Sequence, residues 1–382
     1  HVTGTSGKGS VTSFLHSILF CAGKKVGSVY SPHPTYITER WKINNRHMTK
    51  KEFVCLVEKI KPYLDKYITQ TPYDMLSFFE ITEVIGLLFF AQNNIDWAVV
   101  EVSCGGRYDA TNIIPYKDAA IITNIGLDHV GIIGKNKKEI AYEKAGIIKK
   151  CPVFTTEKNK EIKKIFLNEI KKQGGEMYDL SNAKFKIIKN QLDGTEFIYQ
   201  SKHFILPLLG LHQIKNAVLC IELMRYLKIP PKAIENGLKK SEQPLRLEII
   251  NKEPLIILDG AHNADKIETT VRAIKNLNHK DRLFIIVGFS NDKNIKILIK
   301  KLSKLNPHTI FCTRNTVNQL RKVASPQTIK RLFQKELPRN KNIFIRLDPK
   351  DAWVEVLAQT KPTDIILITG SIFLSGEIRG II

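Results

Sequence analysis

Strand-like apolar runs recur along this chain with helical stretches between them, and that alternation leaves few folds open. WAVVEVS (97–103), AAIITNIG (119–126), PVFTT (152–156), LIILDGA (255–261), LFIIVGFS (283–290), TIFCT (309–313) and DIILITG (364–370) are almost continuously apolar. Strands of that kind are buried on both faces, as in a parallel sheet covered by helices. EITEVIGLLFFAQ, NAVLCIELMRYL and IKILIKKLSKL carry the helical period between them. The pattern predicts an α/β protein, doubly wound, with parallel sheets. Residues 184–206 differ. FKIIKN, EFIYQ and KHFILPL read as short antiparallel strands with a turn at Asp193-Gly194, a small β insert. EQPLRLEII (242–250) follows a basic helix and precedes a new strand run. It sets a linker at 242–247, between a domain of 1–241 and a smaller α/β domain of 248–382.

The chain opens HVTGTSGKGS, a strand stub followed by a glycine-rich turn. The next stretch, VTSFLHSILFCAG, predicts a helix with Val11, Phe14, Leu15, Ile18 and Leu19 on one side and Gly23 as its stop. The turn therefore lies at a helix N-terminus, where free N–H groups and the helix dipole favour an anion. Gly4, Thr5, Ser6, Gly7, Lys8, Gly9 and Ser10 combine close backbone approach, a cation and hydroxyls, the chemistry of a phosphate and its Mg²⁺. Only Thr5 and Ser6 separate Gly4 from Gly7-Lys8, so the spacing is shorter than the standard phosphate-loop pattern. A glycine-rich turn with a solvated lysine is the plainer alternative.

Composition narrows the function classes. The six cysteines never pair as CxxC, which speaks against a zinc site or a disulfide framework and suits a reducing, cytoplasmic setting. No apolar run is long enough to cross a bilayer. The net charge of +22 raises the question of a nucleic-acid partner. The lysines are dispersed in clusters such as IKK, KNKK and KKLSK, with no named nucleic-acid motif, so a solvated basic surface that favours anionic substrates is the reading taken.

Further candidate chemistry falls at strand ends, where open α/β sheets bind ligands. SPHPTYITER (31–40), EVSCGGRYDATN (101–112), GLDHVGIIG (126–134) and YEKAGIIK (142–149) follow or flank the strand runs. Glu101, Asp128 and His129 could serve a hard divalent ion, which takes carboxylate, hydroxyl and sometimes imidazole. Each has a structural alternative, a paired core carboxylate or a structural histidine.

With GTSGKGS, SPH, GGR.DATN, GLDH and EKAGIIK come, in order, GLHQIKNA (210–217), RLE (246–248), LDGAHN (258–263) and TGSIFLSGEIR (370–379). This set resembles the folylpolyglutamate synthase / dihydrofolate synthase family of the Mur ligase superfamily over nearly the whole chain. The resemblance implies a phosphate-loop central domain with a small β insert and a C-terminal glutamate ligase domain. It implies ATP-dependent joining of L-glutamate to a folate or pteroate carboxylate through an acyl phosphate, in a cytoplasmic monomer. The 4–10 loop, Asn216, Arg246 and Asp259 would hold ATP, with domain closure bringing Arg246 onto the phosphates. Ser31, Glu101, His129 and a carbamylated Lys144 would hold Mg²⁺, two ions in all, with a place for a monovalent cation. Lys8, His129, Lys144 and His262 would be catalytic. Phe79, Glu80 and Asp109 would line the pterin side, and His262 and Ser371 would orient glutamate. At the linker the family usually reads Gly-Arg-Leu where this chain has Leu245-Arg246-Leu247. Two rival readings are a Mur-type ligase with another carboxylate acceptor, such as a cell-wall nucleotide, and a basic phosphate-loop ATPase that binds nucleic acid.

Overall fold

The computed structural model describes residues 1–382 apart from 128–130, 278–280, 292 and 318–321. The chain falls into two compact units. The first comprises residues 1–190, 195–207 and 211–242, and the second comprises 191–194, 208–210 and 243–382.

In the first unit the strands are β1 (Val2–Thr3), β2 (Val26–Val29), β3 (Trp41–Ile43), β4 (Arg46–His47), β5 (Trp97–Val100), β6 (Ala120–Ile122), β7 (Val153–Thr155) and β8 (Met177–Asp179). β1-β6-β7-β8 form a parallel sheet, and β4-β3-β2-β5 form a mixed one in which β3 and β4 run antiparallel. A parallel bridge between Val2 and Glu101 links β1 to the end of β5, so the two sheets continue into each other. The expected insert is a three-stranded antiparallel sheet of β9 (Phe185–Gln191), β10 (Gly194–Tyr199) and β11 (Lys202–Leu206). Its turn is Leu192–Asp193, one residue earlier than the sequence suggests, because Gly194 already belongs to β10.

Helices cover these sheets: α1 (Lys8–Cys21), α2 (Lys50–Gln70), α3 (Phe78–Gln92), α4 (Lys137–Ala145), α5 (Lys160–Gln173), α6 (Leu211–Tyr226) and α7 (Pro231–Lys239). α1 is not the one-sided helix its sequence suggests, since Ser10 to His16 are all buried. A helix enclosed on every side in this way belongs to the core. α2 and α3 each open with a capping box, Thr49 with Glu52 and Ser77 with Glu80, which fixes where each helix begins.

The second unit carries β12 (Glu248–Lys252), β13 (Leu255–Leu258), β14 (Leu283–Val287), β15 (Thr309–Cys312), β16 (Ile343–Ile345) and β17 (Ile365–Thr369) in one sheet of order β12-β13-β17-β14-β15-β16. All neighbours are parallel except β12, an antiparallel edge that the linker reading did not foresee. The helices α8 (Ala264–Lys275), α9 (Ile295–Leu302), α10 (Pro326–Glu336), α11 (Pro349–Gln359) and α12 (Ile372–Arg379) complete it. Side chains alternate along each strand, so each face of the sheet has its own core. Ile285 and Leu367 belong to one, and Phe284 and Ile366 to the other.

Candidate active site

The glycine-rich turn leaves β1 and enters α1 in a conformation that only glycine adopts freely. Gly4 and Gly7 have φ of 146° and 89°. A Cβ on Gly4 would run into the Thr123 side chain, and one on Gly7 would lie 2.6 Å from Asn216 Oδ1. The loop is held from the end of β6. Thr5 N donates to Asn124 O at 2.9 Å, Ser6 N to Asn124 Oδ1 at 3.0 Å, and Thr123 Oγ1 to Ser6 O at 2.6 Å. The α1 N-terminus has no side-chain cap and no acid in its first turn. Lys8 Nζ folds back to donate to Gly4 O at 3.1 Å. The outcome is a positive, backbone-lined cradle.

Glu101 is buried beside this cradle, and Oε2 lies 3.5 Å from where a Cβ of Gly9 would be. Ser31 N donates to the same Oε2 at 3.2 Å, which brings the SPH segment to the phosphate loop. Asn216, on α6, is buried and donates to Gln213 Oε1 at 3.0 Å. Lys144 is buried at the end of α4. Asp128 and His129 lie outside the described residues. Among the described residues no group of three His, Cys, Asp or Glu side chains could hold a metal ion. The pair Ser31 and Glu101 still fits a hard divalent cation by chemistry, because a hydroxyl-bearing residue and a carboxylate meet beside the glycine-rich cradle.

Two expected pterin-side residues have structural tasks. The Glu80 carboxylate accepts from Ser77 N at 2.7 Å in the α3 capping box. Asp109 Oδ1 accepts from Thr111 N and Oγ1 at 3.1 and 2.5 Å, and its Oδ2 accepts from Cys104 N at 2.7 Å. Phe79 is half exposed, edge-on to Phe78. The sequence reading missed Glu83, one turn beyond Glu80, which is buried and pushed up to about 7 by burial and then by Asp109. The available signal was an acid on the apolar face of α3.

In the second unit, Asp259 directly follows β13 and is buried. Burial raises its pKa, against hydrogen bonds from Thr270 Oγ1 and the Leu247 backbone and the nearby Arg246 charge. Gly260 N donates to Leu245 O at 2.8 Å, which keeps the Arg246 segment against the DGAHN turn. Leu245 and Leu247 take φ of 58° and 52°, the region that favours glycine. His262 Nδ1 donates to Gly260 O at 2.7 Å, and its Nε2 lies 3.3 Å from Lys266 Nζ. Burial, then the Lys266 charge, lowers the His262 imidazole to about 3, so it is neutral at pH 7. Ser371 caps α12, accepting from Phe373 N at 3.2 Å. The reading singled out His262 and overlooked Lys266, four residues along and facing it.

Family models match both parts of the chain: the Mur ligase middle domain over residues 2–224 and the Mur ligase glutamate ligase domain over residues 245–372. A Bacillus subtilis dihydrofolate synthase/folylpolyglutamate synthase is 30% identical, covering 99% of this chain and 89% of the relative. The chain belongs to the folylpolyglutamate synthase / dihydrofolate synthase family of Mur ligases. The fold agrees. A Thermotoga maritima folylpolyglutamate synthase superposes with a TM-score of 0.84 at 32% identity, covering all of this chain and 87% of that one. A Yersinia pestis bifunctional folylpolyglutamate synthase/dihydrofolate synthase, complexed with AMPPNP and Mn, superposes with a TM-score of 0.79 at 26% identity, again covering all of this chain and 87% of that one. As a Mur ligase of this family the chain is an ATP-dependent acid–amino-acid ligase.

Proposed function

We propose that this ligase joins L-glutamate to the carboxylate of a folate-type acceptor, dihydropteroate or a reduced folate, by way of an acyl phosphate. The observation that carries the reading is the phosphate cradle, with Glu101 against Gly9 and Asn216 against Gly7. The α1 N–H groups and Lys8 stabilise negative charge on the β- and γ-phosphates as it shifts during transfer. The acceptor carboxylate takes the γ-phosphoryl group and ADP leaves. The glutamate amine then attacks the acyl carbon and phosphate departs. The neutral His262 is suited to orienting the amino acid, and Ser371 to binding it, while Arg246 and Asp259 serve the nucleotide.

Ser31 and Glu101, with His129 and Lys144, are the residues assigned to a divalent ion. Such an ion screens the γ-phosphate from the anionic carboxylate when bound. Carbamylation of Lys144 would replace a buried ammonium, which a metal repels, by an anionic oxygen donor. Among the described residues no helix is long and apolar enough to cross a membrane. The chain is proposed to act on small molecules as a cytoplasmic monomer.

The test is ADP release with ATP, Mg²⁺ and L-glutamate, comparing dihydropteroate, tetrahydrofolate and no acceptor. The expected result is release that requires both glutamate and one pterin and that is lost in Lys144→Ala. Release indifferent to both substrates would overturn the reading.

A further inference from the structure

The end of the first parallel sheet away from the glycine-rich turn carries a cationic cavity that the chemistry above does not use. Thr123 and Asn124, which hold the turn, follow the C-terminal end of β6. Residues 115–117 lead into the N-terminal end of β6, and residues 148–150 lead into that of its parallel neighbour β7. With Arg107 and the end of α5, these two segments line a cavity of about 500 Å³. Its charged side chains are Arg107, Lys117, Lys149, Lys150 and Glu169. The Glu169 carboxylate offsets one positive charge, that of Arg107, whose Nη2 donates to Oε2 at 2.8 Å and Nη1 to Oε1 at 3.4 Å. The charge of the three lysines is left over, and none of them forms an ion pair with a described acid.

Lys117 and Lys149 rest on the same residue. Lys117 Nζ donates to Asn112 Oδ1 at 2.7 Å and to Ile147 O at 2.8 Å. Lys149 Nζ donates to Asn112 O at 2.6 Å and to Ile114 O at 2.9 Å. Asn112 Nδ2 donates to Arg107 O and Gly146 O at 3.1 and 3.0 Å, so its Oδ1 is the atom turned to Lys117. An ammonium has three N–H groups, and each lysine keeps one in reserve. Two like charges set on one residue repel. Burial first, and then the Lys149 charge, lowers Lys117 to about 7. Arg107 Nε, also of the lining residues, is enclosed without a partner. Cations without a counter-charge and a donor without an acceptor have one common remedy, a bound anion. The volume is in the range of small-molecule sites and exceeds what a halide needs.

We infer that this cavity is a second anion site, apart from the phosphate cradle, which takes a multivalent oxyanion, a phosphate or a polycarboxylate, on the Lys117 and Lys149 ammonium groups. An anion bridging the two lysines also ties the DATN segment to the EKAGIIK segment, to which Asn112 and Lys149 belong. The test is hydrogen–deuterium exchange of the full chain with the cradle filled by AMPPNP and Mg²⁺. Inorganic phosphate and tricarballylate are compared with sodium chloride of equal ionic strength. Either anion should slow exchange in residues 107–117 and 146–151 and leave residues 4–10 unchanged. Lys117→Gln keeps an N–H for Asn112 and removes the charge. It should raise the anion concentration that gives half-protection roughly 10- to 100-fold, as expected for a lost charge-assisted hydrogen bond. Its affinity for AMPPNP should match that of wild type, which a general loss of structure would not allow. Protection by phosphate alone assigns a phosphate ligand, and protection by tricarballylate alone assigns a carboxylate one. Protection of neither segment by either anion, or an unchanged concentration dependence in folded Lys117→Gln, overturns the proposal. If Lys117→Gln does not fold, the exchange pattern of wild type decides alone.

Discussion

Gly7 and His262 show how single positions are constrained. At Gly7 a side chain meets two penalties, a φ of 89° and a Cβ 2.6 Å from Asn216 Oδ1. Gly7→Ala should cost about 1–2 kcal/mol from the backbone alone and more from the displaced Asn216. Nucleotide binding by isothermal calorimetry should fall further than the melting temperature implies, because the N–H cradle itself is displaced. His262, held near 3 against an unfolded value of 6.5, is neutral in the fold but gains a proton in the unfolded chain below pH 6.5. The unfolded state therefore binds more protons between pH 6.5 and 3, and acidification through that window destabilises the fold. A tenfold difference in proton affinity between the two states is worth about 1.4 kcal/mol. Denaturation of His262→Gln, followed from pH 7 to pH 4, should show a shallower loss than wild type. An identical slope would mean that the imidazole is not the group responsible.

At the scale of elements, local chemistry sets where a helix begins: α3 starts at Phe78, two residues before the EITEVIGLLFFAQ run read from the sequence. Ser77 and Glu80 close a capping box on α3, and Ser77→Ala should cost about 1 kcal/mol. In urea the midpoint should move with no change in slope. Glu80, which the family resemblance placed on the pterin side, also closes this box through its carboxylate. Glu83 was signalled only as an acid on the apolar face of α3, and that Arg40 and Trp41 lie opposite it could not be read from the sequence. The buried strands β6, β7, β13, β14, β15 and β17 were readable because both faces are covered and their apolar runs are continuous. The edge strand β12, with Asn251 and Lys252 in it, carries no such run and was taken for linker and domain start.

Over the whole molecule, the net charge of +22 is the feature least tied to the site. If it serves only solubility and attraction of anionic substrates, any duplex binding should be weak and should fade between about 50 and 200 mM salt, as expected of phosphate contacts alone. ADP release should be unaffected by added duplex. Stimulation by duplex would bring back the nucleic-acid reading.

What the sequence determined by itself was the class of fold, the family and the glycine-rich turn at the head of α1. Those depend on periodicity and on short contiguous motifs, which survive without knowledge of what packs against them. Only the tertiary structure decided which polar residues are committed and which are open. Asp109 and Glu80 proved to be tied to backbone N–H groups, while Glu83 and Arg40 proved to be enclosed without partners. That distinction depends on neighbours distant in the chain, and burial makes it matter, because a polar group removed from water must find its partner in the protein or in a ligand.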